Sequence, residues 1–205
     1  MISKTSVNGF VLAGGRSSRM AVDKARLTIG GQPLLLRAVN TLKLCLDSVT
    51  VVGDGACYDF LHEPTIPDHW PGEGPLAAIL TGLEHSTSAW NIFLACDMPL
   101  VSGRLIELLI RSVTSSNSDA VVPRTHEGWQ PLAAAYHARC DSLFSQALKE
   151  GRRSMIDVLD RLRVDMITQD MMVRAGLSDL EFTNVNTPED WERLIGLLKD
   201  RDKPC

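Results

Sequence analysis

The chain has 205 residues, 44 % of them hydrophobic and 22 % charged, with a formal net charge of −4. That length is about one domain, and a chain of this size buries enough surface to hold a core without disulfide or metal staples. The composition excludes a disordered chain, a collagen-like repeat and a coiled coil, and no apolar run reaches the ~18 residues of a membrane span.

The 21 basic and 25 acidic residues argue against unaided nucleic-acid binding, which calls for a basic surface. The polar stretch Met1–Gly9 runs straight into a short apolar segment without a signal-peptide core, so the sequence predicts a cytoplasmic, non-exported protein. Five cysteines (45, 57, 96, 140 and 205) contain no C-x-x-C pair and read as free thiols of a reducing compartment. No repeat, low-complexity tract or linker divides the chain, so residues 1–205 are expected to form one domain.

In chain order, Phe10–Ala13 reads as a short buried strand. Pro33–Leu46 follows as a helix with apolar residues at 35, 38, 39, 42 and 46. Val49–Val52 is a second strand. Gly74-Pro75 opens a helix through Leu83, with proline at its first position. Asn91–Cys96 is a third strand, apolar enough to be buried on both faces. Ser102 is expected to cap a helix through Val113 with its hydroxyl. Ala120–Pro123 and Leu132–Tyr136 read as further strands. Ser154-x-x-Asp157 and Thr187-x-x-Asp190 mark two later helix starts. Strands alternating with helices predict an α/β protein, a three-layer α/β/α Rossmann-like sandwich with a mostly parallel central sheet. Ligands in such sheets sit at the carboxyl ends of the strands.

The residues just after the strands carry the chemistry. Leu12-Ala13-Gly14-Gly15-Arg16-Ser17-Ser18-Arg19-Met20 follows the first strand, then Asp23-Lys24. Bare glycine N–H groups and nearby cations suit a phosphate. Residues 16–37 hold five basic side chains against one acid. A Gly-rich turn with solvated cations is the plainer reading of the loop alone. It is neither a Walker A loop nor a dinucleotide fingerprint. Asp97, after the third strand, is placed to hold Mg²⁺, which favours one or two carboxylates plus substrate phosphates; the alternative is an ordinary loop acid. The stretch Pro67–Leu76 is too rich in Pro and Gly to be an element, and reads either as a ligand-contacting loop around Asp68 or as plain surface. The dispersed histidines and the absence of G-x-S-x-G and H-E-x-x-H leave no nucleophilic or zinc-hydrolase reading.

Together these blocks resemble a known family. The Leu12–Met20 loop with Asp23-Lys24 is similar to the signature of nucleotidyltransferases with the nucleotide-diphospho-sugar transferase fold. Gly72-Glu-Gly-Pro-Leu76, Cys96-Asp-Met-Pro99, Gln130-Pro-Leu132 and Asn184-Val-Asn-Thr-Pro-Glu-Asp190 resemble, in order, blocks of the molybdenum cofactor guanylyltransferase family. The resemblance implies transfer of GMP from GTP to the terminal phosphate of molybdopterin, with release of pyrophosphate. It implies that Leu12, Ala13, Gly14, Gly15 and Gly53 line the nucleotide and that Asp68 contacts the nucleoside. Arg19 and Lys24 would hold the triphosphate, Asp97 would bind Mg²⁺, and Asn184 and Asn186 would lie near the pterin. Handover of so labile a cofactor implies delivering and accepting partner proteins. Two positions depart from the family pattern: Ala21 stands where glycine is usual, and Gly53 where asparagine is common. The enzyme alternative is CTP on molybdopterin, or a nucleotide on a sugar phosphate. The non-enzyme alternative is a nucleotide-sensing module.

Overall fold

The computed structural model describes residues 7–13, 23–54, 58 and 60–201. The strands are β1 (Val7–Leu12), β2 (Thr28–Ile29), β3 (Gln32–Pro33), β4 (Val49–Val52), β5 (Thr65–Ile66), β6 (Trp90–Ala95), β7 (Ala120–Thr125), β8 (Gly128–Trp129), β9 (Ala133–His137) and β10 (Val164–Ile167). The helices are α1 (Leu34–Lys43), α2 (Pro75–His85), α3 (Gly103–Thr114), α4 (Asp141–Lys149), α5 (Met155–Leu159), α6 (Gln169–Arg174) and α7 (Pro188–Arg201). The main sheet runs β10-β7-β9-β6-β1-β4-β5, with β8 hooked onto β7 and β2-β3 a separate hairpin.

β1, β4, β5 and β6 pair in parallel. Every residue of β4 and of β6 is buried, as strands covered on both faces require. On one face α1 packs Leu35, Ala38, Val39 and Leu42 against Val11, Val51, Ile92 and Leu94. Those helix positions recur on one stripe, as the sequence spacing predicts. On the other face α2 and α4 pack against Phe10, Leu12, Phe93 and Tyr136. Gly82 of α2 lies so close to the sheet that a Cβ there would sit 2.6 Å from the Phe93 ring. The α/β/α expectation therefore holds.

Two details differ from the sequence reading. β9 runs antiparallel between β6 and β7, so the parallel set is interrupted. And Ser102 stands at the N-cap of α3 without a side-chain cap bond. The Glu181 carboxylate accepts the Ser102 backbone N–H instead, at 2.7 Å. The acid is remote in sequence and supplies a charge-assisted bond stronger than a hydroxyl's. The Ser102 hydroxyl is left buried without a partner among the described residues. By contrast, Ser154 and Thr187 cap as expected, accepting from the N–H groups of Asp157 at 3.3 Å and Asp190 at 3.1 Å.

Candidate active site

The ladder continues one residue past each parallel strand. Ala13 N–H donates to Val52 O and Gly53 N–H to Ile66 O, both at 2.9 Å, and Cys96 N–H donates to Leu12 O at 3.1 Å. Leu12 and Ala13 are buried, so they frame the strand ends through backbone rather than side chain. The buried Tyr58 hydroxyl donates to Ala13 O at 2.9 Å and fixes that corner. A contact across 45 residues leaves no trace in local sequence, and the sequence reading missed it. Gly53 lies tight against the same corner. A Cβ there would stand 3.2 Å from the Ala13 Cβ and 3.3 Å from its carbonyl oxygen, so this corner favours the smallest residue. Gly14, Gly15 and Arg19, and with them Ala21, lie outside the described residues.

The chain returns at Asp23, whose carboxylate accepts the Ala25 N–H at 3.0 Å and starts a one-turn 3-10 helix, Lys24–Arg26. Ala25 is buried, which anchors the turn and aims Lys24 across the strand ends. Lys24 Nζ donates to Asp97 Oδ2 at 3.2 Å and to Asn186 Oδ1 at 2.6 Å. An ammonium has three donors, so one N–H stays free of these two bonds. The Lys24 and Asp97 side chains are only 16 % and 21 % exposed, so the pair is partly withdrawn from water and its Coulomb attraction is less screened.

Asp97 is the most informative group. Its Oδ1 is buried with no hydrogen-bond partner among the described residues. A buried unpaired carboxylate oxygen costs free energy unless a cation or donor reaches it. Hard divalent cations take oxygen ligands, and Mg²⁺ needs only one or two carboxylates when phosphates complete its shell. Asp97 fits such an ion, whereas no cluster of three or more His, Cys, Asp or Glu exists among the described residues. Beside it, burial pushes the Cys96 thiol up, and the negative charges of Asp97 and Asp23 add to that. Cys96 is therefore a neutral, inert thiol.

The C-terminal segment is pinned to the same place. Val185 is fully buried and its N–H donates to the Asp97 carbonyl at 2.9 Å. Val185, Leu100 and Leu194 form a small cluster with Trp191 of α7, with Ile29 of β2 and with Leu27 just before it. Asp190 Oδ2 accepts the N–H groups of Asn186 and Thr187, each at 3.0 Å. These bonds, the Asn186 N–H foremost, hold the Asp190 carboxyl below its ordinary value, against a smaller opposing effect of burial. Asp190 thus fixes the backbone of the residue that holds Lys24. Its capping position was legible in Thr187-x-x-Asp190, but not its reach to the site. Asn184 is exposed and its side chain makes no hydrogen bond among the described residues.

Asp68 lies beyond β5. Its Oδ1 accepts from Trp70 N–H at 2.9 Å and Thr81 Oγ1 at 3.2 Å, so one oxygen is engaged in the loop that leads into α2. Glu73 N–H donates to Trp70 O at 3.1 Å, and Gly72 has φ 87°. Pro71-Gly72 therefore makes the tight turn that a positive-φ glycine allows. Lys24, Asp97 and Asn186 meet directly; Leu12, Ala13 and Gly53 share the neighbouring strand ends; Asp68 stands apart in its own loop. A cleft of about 520 Å³, lined by Leu44, Cys45, Ser102, Arg104 and Glu107 among others, contains none of these residues.

Comparison with known proteins bears on the family and the fold. The profile of the MobA-like NTP transferase domain matches residues 9–164. A probable molybdenum cofactor guanylyltransferase of Bacillus cereus is 35 % identical over 190 residues, covering 89 % of this chain and 92 % of that protein. Molybdopterin-guanine dinucleotide biosynthesis protein A from Archaeoglobus fulgidus superposes with a TM-score of 0.83 at 24 % identity, covering 94 % of this chain and 99 % of that one. A 4-diphosphocytidyl-2C-methyl-D-erythritol synthase from Anaerococcus prevotii shares the fold at a TM-score of 0.69 and 11 % identity, covering 96 % of this chain and 100 % of that one. Fold and sequence together define a nucleotidyltransferase. Within that class, the chain belongs to the MobA-like NTP transferase family, that of the molybdenum cofactor guanylyltransferases.

Proposed function

We propose that the protein transfers GMP from GTP to the terminal phosphate of molybdopterin, forming the guanine dinucleotide cofactor and releasing pyrophosphate. The observation that carries this is the Lys24 ammonium held between Asp97 and Asn186, beside a buried, unpartnered Asp97 oxygen at the end of β6. The names of its relatives point to the same reaction.

An oxygen of the acceptor phosphate bonds to the α-phosphorus of GTP. The α–β bridging bond breaks, and its electron pair leaves with pyrophosphate. A phosphate monoester has a second pKa near ~6, so the acceptor is already a dianion at neutral pH and needs no general base. The barrier is the meeting of two anions. Lys24 supplies a fixed positive charge with a donor to spare, and Asn186 and Asp97 keep it from swinging to solvent. Asp97 would hold Mg²⁺ through its free oxygen; that ion supplies Lewis-acid stabilisation of the phosphate charge. Most of the catalysis is then positioning and electrostatics. Asn186 here does more than line the pterin side: it shares the ammonium with the acid. Gly14, Gly15 and Arg19 complete the triphosphate cradle in this reading, and Leu12, Ala13, Gly53 and Asp68 flank the nucleoside. Asn184, exposed one residue from the Val185 anchor, faces the acceptor.

We read residues 1–205 as one domain, supported by core clusters on both faces of a single sheet. We assign it to the cytoplasm, a reading supported by the buried free thiols Cys96 and Cys140; among the described residues no helix is long and apolar enough to cross a membrane. The delivering and accepting proteins remain part of the proposal. The test is pyrophosphate release with Mg²⁺ and metal-loaded molybdopterin, with GTP, CTP, ATP and UTP supplied separately. Release with GTP alone, abolished by chelator, is the expected result. Release with CTP instead would move the activity to cytidylyl transfer, and binding of GTP without release would leave a nucleotide sensor.

A further inference from the structure

The strand order places the nucleotide residues on one side of Asp97. Leu12 ends β1 and Ala13 follows it, Gly53 follows β4 and Asp68 follows β5, all on the same side of β6. On the other side stand β9 and β7. The link between them is short and tied at both ends: Gln130 N–H donates to Pro123 O and Ala95 N–H to Leu132 O, each at 2.9 Å. This link contains β8, where Trp129 pairs across from Arg124.

The Arg124 guanidinium lies over the Trp129 indole, 5.2 Å from its centroid. Arg124 is exposed and makes no hydrogen bond or ion pair among the described residues. The ring lies against one side of the guanidinium, and the Arg124 side chain is otherwise exposed. The hairpin beneath is braced. The nearly buried Thr125 hydroxyl accepts from Gln130 Nε2 at 3.1 Å and from Glu127 N–H at 3.2 Å, and His126 is bonded to Asp179. A cation stacked on an aromatic ring and fixed by such a turn is pre-organised rather than floppy. β7 lies two strand spacings from β6, about 10 Å. The pair therefore stands within reach of a ligand whose phosphate lies at Lys24 and Asp97.

We infer that Arg124 and Trp129 form the distal element of the acceptor subsite, taking a planar fused heterocycle that carries anionic groups. This inference rests on the proposed reaction and names where the body of its second substrate lies. A guanidinium plane stacks on flat rings and gives bidentate bonds to anions, which a lysine cannot reproduce. The nucleotide, on the other side of β6, does not meet the pair.

The experiment is steady-state kinetics of wild type, Arg124→Met, Arg124→Lys and Trp129→Phe, with metal-loaded molybdopterin varied at saturating GTP and GTP varied at saturating acceptor. Arg124→Met is expected to raise the acceptor KM about tenfold and to leave the GTP KM within about twofold, with melting temperature unchanged. Arg124→Lys retains the charge without the plane and falls between. Trp129→Phe weakens the quenching of tryptophan emission by the acceptor but not by GTP. An acceptor KM that does not move in Arg124→Met, or an equal rise in both KM values, overturns the inference while the reaction itself stands. A wild type that turns over no acceptor overturns the proposed function and this inference with it.

Discussion

Two aspartates at opposite ends of the sheet show how differently one fold uses a carboxylate. Asp119 sits at the amino end of β7 and is fully engaged. Its Oδ1 accepts from Arg139 Nε at 2.7 Å and Arg163 Nη2 at 3.2 Å, and its Oδ2 from the Arg163 N–H at 3.0 Å. Burial would raise this carboxyl, but the Arg163 and Arg139 bonds overcome it and hold it at about 2. Nearby, Asn8, Ser86, Ser88 and the fully buried Asn91 close a hydrogen-bond network of their own. Asp97, at the carboxyl end of β6, has one oxygen on Lys24 and the other on nothing among the described residues. The amino end satisfies its polar groups internally and contributes stability. The carboxyl end leaves groups unsatisfied and keeps them for ligands, as functional sites do.

Removing each charge sharpens that contrast. The largest effect is expected for Asp97→Asn. Turnover falls at least ~100-fold, since metal-borne charge stabilisation is worth several kcal/mol, while the melting temperature changes little, because the loss of the Lys24 ion pair is set against relief of the buried, unpartnered Oδ1. Pyrophosphate release and a thermal melt together check this, and turnover within tenfold of wild type would remove Asp97 from the site. Lys24→Ala is next, with kcat/KM for GTP down about 50-fold, or roughly 2 kcal/mol; unchanged kinetics would leave the ammonium without a role. Asn186→Ala is expected to cost about tenfold for GTP as well as for the acceptor, because Nζ loses one of two anchors. Asp190→Ala should cost a few-fold in activity and also lower the melting temperature, since it both fixes Asn186 and caps α7. In an Asn186→Ala background it should still lower the melting temperature but cost no further activity, a non-additivity that double-mutant kinetics reads directly.

The smallest effect on activity and the clearest on stability belong to Asp119→Asn. Turnover stays at wild type. Stability at pH 7 drops by about 1–2 kcal/mol, the linkage value discounted because the arginine partners are partly exposed to screening. The sign follows from a folded-state value depressed from 3.8 to about 2. The stabilisation is present above about pH 4 and is lost as pH falls through 2. Denaturant titrations at pH 7 and pH 3 should therefore show the wild-type advantage shrinking; an advantage that grows toward acid would contradict the assignment.

Local residue chemistry settled a good deal in advance. The amphipathic stripe of α1, the doubly buried β4 and β6, the proline start of α2 and the Thr187 cap of α7 all follow from patterns within a dozen residues, where side-chain period and capping geometry act. Lys24 and Asp97 were likewise legible as chemistry-bearing types in the segments that follow strands, and Asn186 only through the family resemblance. The structure alone decided that they touch, for Lys24 and Asn186 are 162 residues apart and meet only because Val185 docks on the end of β6. It also decided that Glu181 rather than Ser102 caps α3, that β9 enters the sheet reversed, and that Arg124 stacks on Trp129 beyond it. A sequence window reports local preference, which is short-ranged; strand order, register and remote charge pairs come from burying two faces of one sheet at once, and only the closed fold carries that information.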